Sequence, residues 1–217
     1  MRFLFLLTFL TLASISSRAV DLTQADIGKP QMPGSGASDK DGTTLVAGGK
    51  DVWGTSDQFR FAYLQRKGNF DAQVHILSLQ PAQLYSRAGL MVREDLTNTS
   101  RHLFFVVFSD NQARHNNNGG YELQFRDTAG GKSGGVYPAI TPGAPPQFPV
   151  NYPNVWLRVV RQGNTLTCFA SPDGKNWSKY GEHTSEFPAQ VYLGVALTAH
   201  NPTATATAKF SGFSVKP

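Results

Sequence analysis

The chain has 217 residues with 20 Lys and Arg against 15 Asp and Glu, a formal charge of +5, and a single cysteine. The excess is mild and its basic residues are scattered, which argues against a phosphate-tracking nucleic-acid surface. One cysteine, Cys168, excludes an internal disulfide and reads as a buried, inert thiol.

Residues 1–19 open with Arg2, continue through the apolar run FLFLLTFLTLA and end in the small-residue stretch around Ser17 and Ala19. This is the three-part pattern of a secretory signal peptide, and its apolar core is short of the ~20 residues that cross a bilayer. The expectation is a leader over 1–19, a single domain over 20–217, and a secreted product, extracellular or periplasmic.

Beyond the leader no long window keeps apolar residues at helical spacing. Two-residue alternation dominates, broken by Gly, Pro, Asn and Asp, and this predicts an all-β sandwich or barrel. In QFRFAY, Phe59, Phe61 and Tyr63 share a face, expected to point inward. NFDAQVHIL sets Phe70, Ala72, Val74 and Ile76 against Asp71, Gln73 and His75. SRAGLMVRE sets Ala88, Leu90 and Val92 against Arg87, Met91 and Arg93. HLFFVVF is apolar on both faces, as a strand covered on both sides would be. YELQFR alternates, with Tyr121, Leu123 and Phe125 together.

The Gly- and Pro-rich segment 128–152 reads as a long loop. Gly163-Asn164 and Asp173-Gly174 then mark two tight hairpin turns. VYLGVALTAH and TATATAKFSGFSV close the chain.

Several of these stretches, in order, resemble the concanavalin-A-like (LamG-like) jelly-roll modules of secreted bacterial proteins. They are the Asp26-Ile27-Gly28 opening, GGKDVWGTSDQFRFAY, SRAGLMVRE, SPDGKNW, and the terminal VYLGVALTAHN and ATATAKFSGFSV, spanning Asp21 to Val215. The resemblance implies a two-sheet antiparallel jelly-roll sandwich with the N-terminal strand beside the C-terminal one. Such modules often accompany glycoside hydrolases, whereas here the module follows a leader directly. SPDGKNW also resembles an Asp-box, one residue short between Asp173 and Gly174, with Asp173 bonding its own turn and Trp177 pinning the hairpin.

Catalytic patterns are not legible. The resemblance's laminarinase-type enzymes carry Glu-x-Asp-x-x-Glu, which this chain lacks. Glu94 and Asp95 are neighbours on opposite strand faces, while Asp71 and Glu122 stand singly. No Gly-x-Ser-x-Gly elbow is present, and the 5 histidines (His75, His102, His115, His183, His200) are scattered. Calcium is the cofactor to consider, through Asp39, Asp41, Asp110 and Asn111, although neither loop is a complete motif.

A sugar ring stacks on a flat aromatic while polar groups take its hydroxyls. Tyr85, Tyr121, Tyr137, Phe148 and Tyr152 lie near turns or in the long loop, and Arg87 and Arg93 share one polar face. His200, at a strand end, is expected to bond a loop. Together they point to a monomeric, non-catalytic module whose partner is an extracellular polysaccharide or other glycan. A glycoside-cleaving hydrolase on the same fold and an adhesive protein-binding domain are the alternatives. Trp53, in DVWGTSDQFRF, reads as a core or edge plug held by Gly54 and the turn that follows. Asn98-Thr99-Ser100 and Asn176-Trp177-Ser178 fit the glycosylation triplet.

Overall fold

The computed structural model describes residues 20–114, 119–138 and 143–217, so the leader and His115 lie outside it. The described residues form strands and turns. In chain order the strands are β1 (Thr23–Ile27), β2 (Ser35–Asp39), β3 (Gly42–Ala47), β4 (Val52–Trp53), β5 (Ser56–Asp57), β6 (Phe59–Lys67), β7 (Phe70–Gln80) and β8 (Arg87–Arg93). They continue as β9 (His102–Phe108), β10 (Tyr121–Arg126), β11 (Gly134–Val136), β12 (Trp156–Gln162), β13 (Thr165–Ser171), β14 (Ser178–Thr184), β15 (Gln190–Thr198) and β16 (Ala206–Lys216). No helix among the described residues is long and apolar enough to cross a membrane.

Two seven-stranded antiparallel sheets pack as a sandwich. Sheet A runs β1-β6-β15-β8-β9-β10-β11, sheet B runs β14-β13-β12-β7-β16-β3-β2, and β4 and β5 form a separate two-stranded ribbon. The fold is all-β, as the alternation pattern indicates, and jelly-roll in class, as the resemblance implies. The strand neighbours differ from the expected arrangement at one place. β1 pairs with β6 in sheet A, whereas β16 lies between β7 and β3 in sheet B. The long segment after β10 also contributes a short strand, β11, to the edge of sheet A.

The main core lies between the sheets. Phe70, Ala72, Val74 and Ile76 of β7 face Leu90, Val92, Leu103, Phe105 and Val107 of sheet A, each nearly or wholly sealed from solvent. Burying each such large apolar side chain stabilises the fold by about 1.5–3 kcal/mol. Cys168 sits here too, and burial holds its thiol protonated.

A second core lies on the outer face of sheet A. It contains Phe59 and Phe61, with Met91, Phe104, Val106, Phe108, Ala196 and Val52. Phe59 and Phe61 therefore point away from sheet B, and Tyr63 packs against the same cluster. Alternation groups residues by face but does not say which face meets which layer. β9 is buried along its whole length because it serves both cores.

Candidate functional site

The cover over sheet A is the β4–β5 ribbon, and one carboxylate fastens it. Val52 inserts into the second core, Gly54 turns the chain with φ +60, and Asp57 returns to the sheet fully buried. Asp57 accepts hydrogen bonds from Arg93 Nη1 at 2.8 Å and from Arg126 Nη1 at 2.9 Å and Nη2 at 2.7 Å. Both arginine side chains are themselves fully buried.

The remaining guanidinium donors clasp three loops. Arg126 Nη2 reaches the Gly54 carbonyl at 3.2 Å and the Trp53 carbonyl at 3.4 Å, while Nε reaches Gly131 O at 3.0 Å. Arg93 Nη2 donates to Thr97 O at 2.6 Å. Backbone bonds tighten the clasp, with Asp57 N donating to Asn98 O and Ser133 N to Gly54 O, each at 2.8 Å. Burial alone would raise the Asp57 pKa, but the Arg126 hydrogen bonds and the charges of Arg93 and Arg126 outweigh that and hold it below the usual carboxylate value. His102, 3.7 Å from Asp57, is pushed down to about 3 by burial and so stays neutral. Arg126 Nη1 lies 3.4 Å from its Nδ1.

This clasp positions one wall of an open groove of about 510 Å³ lined by Lys50, Asp51, Trp53, Gly54, Ser56, Gln58, Asn98 and His200. Trp53 is partly buried but belongs to neither core cluster. Its backbone is gripped by Arg126, and its indole forms a wall. Of the two expected roles, core or edge plug, the core one is thereby excluded.

The opposite end of the groove is equally rigid. His200 takes a left-handed backbone with φ +52. Its Nε2 lies 3.2 Å from Asp51 Oδ2, Gln83 bonds its Nδ1, and the Tyr85 ring packs on it at 5.3 Å. Asp51 Oδ1 in turn binds Arg87 Nη2. Burial pushes the Asp51 pKa up, but Arg87 and His200 prevail and keep it below the usual carboxylate value. Gln58 is committed at both ends, accepting from Lys50 N and donating to Gly28 O. Among the described residues no hydrogen bond engages the side chains of Lys50, Ser56 or Asn98, so those three are available to a ligand.

Of the residues singled out from sequence, His200 lines this groove, while Tyr85 packs behind it on the His200 ring and Arg87, nearly sealed from solvent, bonds Asp51 from below. Arg93 lies beneath it, sealed in the clasp, and cannot offer a donor to solvent. Tyr121 is 4% exposed within the inter-sheet core, against Phe105 and Tyr180. Tyr152 donates its hydroxyl to Phe108 O at 2.7 Å and packs on the same core. Both phenols are raised by burial. Tyr137 stands apart at the β11 edge with its hydroxyl 3.4 Å from Glu122, and burial, then that carboxylate, push it up to about 12.

The calcium candidates make local contacts. Asp39 Oδ1 accepts the amides of Asp41 and Gly42, and Asp41 pairs with Lys40 at 2.9 Å. Asp110 pairs with Arg114 at 2.9 Å, and the Asn111 amide bridges Val150 N and O. Among the described residues no three His, Cys, Asp or Glu side chains group as a metal site.

No family model matches the sequence, and no curated protein matches it by sequence. The fold does match solved structures. A functionally unknown protein from Saccharomyces cerevisiae aligns with a TM-score of 0.66 at 22% identity, over 90% of this chain and 96% of that one. The carbohydrate-binding module CBM66 from Bacillus subtilis aligns at 0.54 and 11% identity, over 89% and 95%. The GH43 protein BlXynB from Bacillus licheniformis aligns at 0.58 and 14% identity, over 80% of this chain but only 32% of that one. At these identities the likeness establishes the sandwich fold and nothing finer.

Proposed function

We propose that the protein is a secreted, non-catalytic, LamG-like module that binds carbohydrate in the Trp53 groove. The observation that carries this reading is a tryptophan that packs into neither core, with its backbone carbonyl held by Arg126, beside uncommitted polar side chains. Stacking of a sugar's C–H face on the indole buries apolar area, and Asn98, Ser56 and Lys50 take hydroxyls. The Asp51–His200–Arg87 chain fixes the far wall, so little ordering entropy is lost on binding. CBM66, described as a carbohydrate-binding module, gives the same fold a precedent for this use.

The test is retention of the mature protein on immobilised plant, algal and bacterial polysaccharides, followed by calorimetry on whichever is retained. Trp53→Ala is expected to weaken binding by about 30-fold or more, the size of an interface hot spot. Its melting temperature should stay at the wild-type value, because the indole supports no core. No retention on any glycan, or a variant that binds normally, would overturn the assignment.

A further inference from the structure

The outer face of sheet B carries a second constellation with its own chemistry. Strand register places Phe169, Arg158, Gln73 and Ser214 side by side across β13, β12, β7 and β16. Arg158 and Asp71 form a two-pronged ion pair, Nε to Oδ1 at 2.7 Å and Nη2 to Oδ2 at 2.6 Å. The guanidinium also lies 5.4 Å from the Phe169 ring centre and 5.7 Å from that of Trp177. Around this pair is a groove of about 310 Å³ lined by Asp71, Gln73, Arg158, Trp177, Ser214 and Lys216, with Gly174 at its edge.

Two neighbouring features make the groove firm. β16 bulges between Ser211 and Ser214, with Gly212 at φ +59. Trp156 fills the space beside the bulge, stacked on His75 with ring centres 4.3 Å apart. A Cβ on Gly174 would come within 2.9 Å of that indole, so the β13–β14 turn closes tightly over it. Within the turn, Asp173 accepts the amides of Lys175 and Asn176, each at 2.8 Å. Trp156 is therefore spent on packing, while Trp177 is presented by a braced turn as the groove's aromatic wall.

The polar groups along this wall are free. Among the described residues no hydrogen bond engages Arg158 Nη1, the Gln73 amide, the Ser214 hydroxyl or the Lys216 ammonium. Arg158 and Asp71 are each 29% exposed along their side chains, so the donor face of one and the acceptor face of the other are both open to a ligand in the groove. A donor next to an acceptor matches a vicinal diol, in which each hydroxyl both donates and accepts. The ion pair itself carries no net charge, and Lys216 adds one further cationic donor to the lining.

We propose that this groove is a second sugar site, taking the vicinal diol of a neutral sugar residue against Asp71 and Arg158, with its ring on Trp177. The module would then engage glycan from both outer faces of the sandwich. This takes its ligand class from the reading of the Trp53 groove, but its geometry is independent of that groove.

The chain's 3 tryptophans make the test direct, because each gives one indole N–H signal in a proton–nitrogen NMR spectrum. Trp53→Phe, Trp156→Phe and Trp177→Phe assign the signals. The mature protein is titrated with methyl glycosides of glucose, galactose, mannose, xylose and arabinose, and with short glucose and xylose oligosaccharides. The expected result is a saturable shift of the Trp177 signal that persists in Trp53→Phe and is lost in Arg158→Ala, with Trp156 unmoved. If the Trp53 signal moves and Trp177 stays fixed with every sugar, the second site is refuted and the first stands. If Trp177 moves alone, the second site stands and the Trp53 groove loses its assignment. If neither moves, both are refuted.

Discussion

At the scale of single residues, Asp57 and Trp53 are four positions apart and have opposite roles. Asp57 is the only carboxylate hydrogen-bonded to Arg93 and Arg126 among the described residues. Removing one partner of a buried ion cluster leaves uncompensated charge and costs about 3–5 kcal/mol. Asp57→Ala is therefore expected to lower unfolding stability by that amount in urea melts. It should also release the ribbon, since Arg126 grips Trp53 and Gly54 through their carbonyls. Trp53→Ala should leave the urea midpoint in place while weakening ligand binding. Equal stability losses for the two variants would contradict the division of labour between anchor and wall.

At the scale of elements, the β4–β5 ribbon is where sequence reading succeeds and then stops. The stretch DVWGTSDQFRF announces a turn, and Gly54 takes the positive φ that a tight turn demands. Open space surrounds the place where its Cβ would be, so the cost of replacement is purely backbone. Gly54→Val is expected to lose about 1–2 kcal/mol in urea unfolding, with Gly54→Asn recovering most of it because asparagine tolerates this region. A valine variant as stable as wild type would show that the turn bears no such constraint. The alternation of β8 correctly put Arg87 and Arg93 on one face, yet their fates differ. Both are buried by chain that returns from the β4–β5 region, Arg93 against Asp57 and Arg87 against Asp51. Periodicity carries no information about which distant carboxylate closes over an arginine. The same gap explains Phe59 and Phe61, whose shared face was legible but whose second apolar layer was not. Lys50, Ser56 and Asn98 left no local signal, because what unites them is the folding of two loops onto one groove.

At the scale of the whole molecule, sheet A is an interior layer with a core on each face, and a buried polar cluster sits in its outer one. That makes the sandwich sensitive to acid through His102. Its folded pKa, about 3, lies below its ordinary value of 6.5. Between those two values the unfolded chain binds a proton that the fold refuses, so stability falls as pH falls through this window. Asp57 is also held below its ordinary value of 3.8, so its contribution is lost only at still lower pH, as protonation overtakes its folded value. The decline from near neutrality down to pH 4 is thus expected to carry the His102 proton first. By pH 4.5 the loss from this residue should be about 2–3 kcal/mol. His102→Gln keeps an oxygen able to accept from Arg126 and has no proton to refuse. Urea midpoints measured from pH 7 to 4.5 should therefore fall steeply for the wild type and much less for this variant. Equal slopes would mean that the proton uptake lies elsewhere in the molecule. The expected difference would show that the acid limit of the fold is set at the layer that also holds the ligand groove in shape, so that groove and fold are lost together.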